Sequence, residues 1–265
     1  MSRFLLSAIM FGFFGLNTFA LPLPKAPRAL VAIPETFTAS YDFEGIIQLS
    51  NCSGSLIQFE NAPDTDLGIV MTNGHCLETG FPAPGRFVSH QASNRSFRVM
   101  RSNAGVAGTL RATEIIYGTM TKTDVSFYKL NETYAAIKAR TGVRPFKLSS
   151  QHPGLNQPIE VISGYWSRGY SCQTEAFIFQ LREDYYTWED SIRYSRPGCE
   201  VIGGTSGSPV ILSGTRTVIG INNTGNDNGQ KCTENNPCEV DVSGNITWVQ
   251  GYSYAQETYW VYSCL

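Results

Sequence analysis

From Tyr41 onward the chain is a succession of short runs rich in β-branched and aromatic residues, punctuated by Gly, Asn, Asp or Pro about every ten positions. Residues 45–49, 68–72, 125–130, 158–162, 209–212 and 217–221 are such runs. No stretch carries the sustained apolar period of a long helix. The pattern predicts an all-β fold, and periodicity alone leaves sandwich and barrel equally open. A length of 265 residues suits one large domain or two small ones, and 42% hydrophobic content is enough for a core. No internal repeat is evident.

A formal net charge of -2 and a pI near 5.9 give no electrostatic reason to expect nucleic acid or an anionic membrane as partner. Met1-Ser2-Arg3 precedes the apolar stretch from Phe4 to Leu16, and small residues stand at Thr18 and Ala20. This predicts a secretory signal peptide over 1–20, cleaved after Ala20. The apolar run is shorter than the roughly 20 residues that span a bilayer, and no cysteine follows it, so no stable membrane association is expected after cleavage. Residues 21–40 carry four prolines and read as a linker or short pro-segment.

Three motifs carry chemistry: Cys52-Ser53-Gly54-Ser55-Leu56-Ile57, Thr72-Asn73-Gly74-His75-Cys76 and Gly203-Gly204-Thr205-Ser206-Gly207-Ser208-Pro209-Val210. A serine hydroxyl is a weak nucleophile until a base takes its proton, and glycines beside it let backbone amides approach an oxyanion. His75 is the candidate base and Ser206 the candidate nucleophile, whereas His90 and His152 read as ordinary surface or core histidines. At these motifs the chain resembles the chymotrypsin-like (trypsin-like) serine peptidase family, of the bacterial or glutamyl-endopeptidase-like type. The resemblance runs from Phe43 to the C-terminus.

The resemblance implies two packed six-stranded antiparallel β-barrels, over 41–147 and 148–265, with substrate in the cleft between them. The Tyr- and Trp-rich end, 248–265, is expected to close the second barrel and to include a short helix. The resemblance places the oxyanion-binding amides at Gly204 and Ser206. It also makes Asp124, ahead of Val125-Ser126-Phe127-Tyr128-Lys129-Leu130, the carboxylate that orients His75, with Glu114 and Glu132 as competitors. The order His75, Asp124, Ser206 argues against an α/β-hydrolase, whose serine comes first in a G-x-S-x-G elbow. Among seven cysteines the resemblance pairs Cys52 with Cys76. The simplest further pairs are Cys172 with Cys199 and Cys232 with Cys238, leaving Cys264 free, although sequence does not fix this connectivity. No histidine or second C-x-x-C pair lies near Cys232 and Cys238, so no metal is expected there.

Two departures from the family stand out. Thr205 replaces the aspartate that many members pair with a newly cut N-terminal amine, and no Ile-Val-Gly-Gly-like sequence precedes Tyr41, so maturation by burying such an amine is not expected. The primary pocket falls to Glu200 and to Asn222, Asn223, Thr224 and Gly225. Glu200 stands where ungapped counting puts the aspartate that selects Arg or Lys. Asn222 replaces the histidine of glutamyl endopeptidases, and Asn223 is placed to hydrogen-bond Asp124. Sequons at Asn51, Asn94, Asn131, Asn222 and Asn245 signify glycans only in a host that adds them. The expectation is a secreted, monomeric serine endopeptidase acting on protein or peptide substrates without cofactor or metal; the rival is an inactive binding protein on the same fold.

Overall fold

The computed structural model describes residues 41–264, so the expected signal peptide and linker lie outside the described residues. The first half contributes β1 (Ile46–Gln48), β2 (Ser53–Phe59), β3 (Leu67–Thr72), β4 (Phe87–Ala92), β5 (Ser96–Met100), β6 (Val106–Thr119) and β7 (Val125–Thr133). Six of these close into an antiparallel ring in the order β1, β5, β6, β7, β3, β2, with β2 returning to β1 through Ile46 opposite Ser55. β4 pairs with β6 off this path.

A short helix, α1 (Tyr134–Thr141), follows β7 and is capped by Thr133, whose hydroxyl accepts the Ala136 N–H at 3.2 Å. Then come β8 (Phe146–Leu148), β9 (Pro158–Ser163), β10 (Arg168–Glu183), β11 (Tyr186–Tyr194), β12 (Pro209–Leu212), β13 (Thr217–Gly225), β14 (Cys238–Val240), β15 (Ile246–Thr247) and β16 (Ser253–Glu257). The second ring runs β13, β12, β9, β10, β11, β16, and Gly220 opposite Glu257 closes it. β8 stitches the rings together by pairing in parallel with both β2 and β13. A 3-10 helix over Tyr259–Cys264 supplies the expected C-terminal helical turn. The fold is the chymotrypsin-like one.

Period-two side-chain alternation explains why the strands between the rings read as unbroken apolar runs. Ile47, Leu56, Val70 and Tyr128 fill the first ring, while their neighbours Ile46, Ile57, Met71 and Phe127 fill the seam between rings. Ile162, Ile211 and Ile221 meet them there from the second ring, whose own interior takes Val161, Val210 and Ile192. Each such side chain, fully buried, contributes roughly 1.5–3 kcal/mol of transfer free energy. The seam therefore holds the two rings rigidly enough to define a cleft.

The β10–β11 hairpin extends beyond the ring, and its Ile178, Leu181 and Trp188 pack with Met120 and Tyr254. Disulfides join Cys52 to Cys76, Cys172 to Cys199 and Cys232 to Cys238. The Cys264 side chain lies outside what is described. Among the described residues no helix is long and apolar enough to cross a membrane.

Candidate active site

β3 ends at Thr72 and the chain turns through a single 3-10 turn, Gly74–Cys76, that carries His75. The turn fits only because residue 74 lacks a side chain: a Cβ there would lie 2.0 Å from the Thr119 carbonyl oxygen. Asn73 Nδ2 donates to the Asp124 carbonyl at 2.7 Å, and Ser126 Oγ donates to the Asn73 carbonyl at 2.9 Å. These bonds tie the turn to the start of β7. His75 Nδ1–H then donates to Asp124 Oδ2 at 2.6 Å, and the His75 backbone N–H donates to Oδ1 at 3.1 Å. Both carboxylate oxygens of the fully buried Asp124 are thus directed at one residue. Glu114 instead pairs with Lys129 and His90, and Glu132 with Arg140, so neither competes for His75.

Burial opposes the imidazolium of His75, but the charge and hydrogen bond of Asp124, with a smaller contribution from Glu183, outweigh it and hold its pKa above the ordinary value. Glu183 was not foreseen from the sequence. It ends β10 at the hairpin tip, where its carboxylate accepts Thr224 Oγ1–H at 2.5 Å and the Asn235 N–H at 3.0 Å. Burial pushes its own pKa up against those two bonds.

Ser206 lies in the turn ahead of β12, and its carbonyl accepts the Ser53 N–H at 2.8 Å. Its hydroxyl donates to the Asn223 carbonyl at 3.4 Å, with no direct hydrogen bond to His75 among the described residues. The N–H groups of Gly204 and Ser206 donate to no protein acceptor among the described residues. Gly204 adopts φ +89°, and a Cβ there would meet Tyr165 Cδ1 at 2.8 Å, so both conformation and space call for glycine.

The Ser206 loop is fastened from behind. Trp166 Nε1–H donates to the Gly203 carbonyl at 2.8 Å. Ser53 Oγ donates to the Gly204 carbonyl at 3.2 Å while lying 3.0 Å from Ser163 Oγ and accepting the Tyr165 N–H at 3.1 Å. The Cys-Ser-Gly-Ser motif of the first ring thereby braces the serine loop of the second. Thr205 is fully buried, and its Oγ1 has no partner.

His75 and Ser206 line one cleft of about 300 Å³, walled by Phe81, Met120, Trp188 and Tyr186 and bordered by the carboxylates of Glu183, Asp184 and Glu234. A smaller pocket of about 40 Å³ adjoins Ser206 and brings together Asn222, Asn223, Thr224, Gly225 and Asp227. Of the residues assigned to the primary pocket, Glu200 alone stays away: its carboxylate is turned back to accept the Gly198 N–H at 2.9 Å. The Asn223 amide does not make the expected bond to Asp124; its Nδ2 is buried without a partner. Asn222 is buried and accepts the Tyr194 hydroxyl at 3.1 Å, a position closed to a glycan.

A sequence profile of the trypsin-like peptidase domain matches residues 52–221, more than half of the chain and inclusive of all three motifs. The chain belongs to the trypsin-like peptidase family. Among solved structures it is similar to the MamO protease domain of Magnetospirillum magneticum, at 12% identity and TM-score 0.52, over 85% of this chain and 97% of that one. It is also similar to the Rv3671c protease of M. tuberculosis in its active form, at 15% identity and TM-score 0.47, over 97% of this chain and 92% of that one. At such identities the first likeness bears on fold alone. No curated protein matches the sequence significantly. Membership of the family makes this a serine protease at family level, with proteins or peptides as the substrate class.

Proposed function

We propose that this trypsin-like peptidase is an exported endopeptidase that hydrolyses peptide bonds through an acyl-enzyme. The observation that carries the reading is the pairing of His75 with the buried Asp124 in the same cleft as Ser206. As substrate binds, the Ser206 hydroxyl leaves the Asn223 carbonyl and donates to His75 Nε2, since catalytic hydrogen bonds often tighten only in the Michaelis complex. Ser206 Oγ attacks the scissile carbonyl while its proton passes to His75. The two unengaged N–H groups of Gly204 and Ser206 receive the oxyanion. Collapse expels the amine, which takes the proton from His75; water, deprotonated by His75, then releases the carboxylic acid and restores Ser206.

Three disulfides and the signal-like N-terminus support an oxidising destination, extracellular or periplasmic. The orientation of the Ser206 hydroxyl toward Asn223 favours a second reading, a binding protein that keeps the fold without turnover. Hydrolysis of unfolded casein by the mature protein separates the two. Cleavage abolished by Ser206→Ala supports the peptidase, and intact casein after prolonged incubation with a folded protein supports the binding protein.

A further inference from the structure

A second polar cluster lies in the second ring, built from residues far apart in sequence. His152 sits in the connection after β8, Asp190 on β11 and Glu257 at the end of β16. His152 Nε2 lies 3.4 Å from Asp190 Oδ2 and 3.2 Å from Glu257 Oε1. On the far side of the ring His152 Nδ1 lies 2.7 Å from the Pro153 carbonyl, which can only accept, so Nδ1 carries a hydrogen. A neutral imidazole would then aim the bare lone pair of Nε2 at two carboxylate oxygens. Three lone pairs converging in this way require something positive between them.

Glu257 sharpens the point. Its side chain is 1% exposed, and apart from the 3.2 Å approach of His152 Nε2 to Oε1 neither carboxylate oxygen has a hydrogen-bond partner. A buried carboxylate in that condition is costly unless it is neutralised or coordinates a cation.

We infer that His152, Asp190 and Glu257 form a binding site for one zinc-like divalent cation. Zinc held by imidazole nitrogen and carboxylate oxygen at about 2.0–2.1 Å in a tetrahedron places its ligand atoms about 3.3–3.4 Å apart. The two distances from Nε2, 3.4 Å and 3.2 Å, lie within about 0.1 Å of that spacing, and the three ligand atoms all lie within 4.8 Å of one another. A ring nitrogen that donates to a backbone carbonyl is the usual outer partner of a metal-bound histidine. The edges of Phe177 and Tyr259 fix the imidazole plane, with ring centroids 4.5 Å and 5.1 Å away, and the Tyr259 hydroxyl donates to Asp190 Oδ2 at 3.2 Å. His152 and Asp190 are about two-fifths exposed, which leaves an entry path and room for water as a fourth ligand. A cation here would tie the inter-ring connection to β11, to β16 and, through Tyr259, to the C-terminal 3-10 helix. Its consequence is stability of the second ring, remote from the cleft chemistry. His152 is thus more than the ordinary histidine its sequence context implies.

The test is zinc titration of the chelator-treated mature protein, read by a competing chromophoric zinc ligand and by thermal unfolding. The expected result is one zinc per chain, a higher unfolding temperature with zinc, and binding at least about tenfold weaker in Glu257→Gln and in His152→Ala, the scale on which even outer partners act. His75→Ala separates this site from zinc taken up at the catalytic histidine and retains the binding. His152→Ala alters a half-exposed position, so it remains informative should Glu257→Gln fail to fold. Absence of stoichiometric zinc in the wild type, unchanged affinity in His152→Ala, loss of binding in His75→Ala, or tighter binding of calcium than of zinc would each overturn the assignment. An unfolding temperature that responds to pH and not to zinc would identify a proton as the occupant and overturn it equally.

Discussion

Asp124 engages His75 twice, through Oδ2 to the ring Nδ1–H at 2.6 Å and through Oδ1 to the backbone N–H at 3.1 Å. The pair of bonds fixes the tautomer that leaves Nε2 free to accept a proton, and it fixes the ring against rotation. Asp124→Asn can supply only one acceptor and offers an NH₂ where the other was. The expected cost is on the order of 10⁴-fold in kcat for peptide hydrolysis, with the fold retained. Steady-state kinetics beside circular dichroism check this; a loss below tenfold would mean that Asp124 does not orient the base.

The pH profile carries the imprint of Glu183. His75 must be neutral to act as base, and its pKa stands above the ordinary value, so the acid limb of kcat/KM should lie above about pH 6.5. Glu183→Gln removes a charge that favours the imidazolium. The His75 pKa then falls, and the limb moves to lower pH. A limb that stays in place, or moves upward, would show that Glu183 does not act on His75.

Trp166 holds the Gly203 carbonyl at 2.8 Å behind the Gly204 and Ser206 amides. Trp166→Phe keeps the aromatic packing and deletes that bond, which contributes about 1 kcal/mol. The expected outcome is a fall in kcat of up to about tenfold with KM little changed, measured on an amide substrate.

The Cys52–Cys76 bridge spans 24 residues and ends beside His75. Closing a loop of that size stabilises the folded chain by roughly 3 kcal/mol in the chain-entropy picture. The double variant Cys52→Ala/Cys76→Ala should lower the unfolding free energy by about that amount in urea titration.

Much of this architecture was legible in the sequence because the seam strands are apolar on both faces. The runs at 45–49, 68–72, 125–130, 158–162, 209–212 and 217–221 correspond to β1, β3, β7, β9, β12 and β13. The β10–β11 hairpin was not legible: apart from the short apolar run at 176–179, Arg168–Glu183 interleaves charged, polar and aromatic residues, because one of its faces meets solvent. With it went Glu183, Tyr186 and Trp188, which line the cleft. His75, Asp124 and Ser206 could be singled out as candidates because each stands in a local motif. Glu200 was assigned by ungapped counting, which takes no account of how its carboxylate folds back on the Gly198 N–H. The cluster of His152, Asp190 and Glu257 has no sequence spacing to betray it, since three separate elements bring it together.

Activation of Ser206 by His75 underlies the proposed chemistry. The most direct measurement treats the purified mature protein with a fluorophosphonate probe, beside Ser206→Ala and His75→Ala, and reads covalent labelling by intact mass. One label per chain is expected in the wild type and none in either variant. An unlabelled wild type that is folded and fully processed, or labelling that persists in Ser206→Ala, would contradict it.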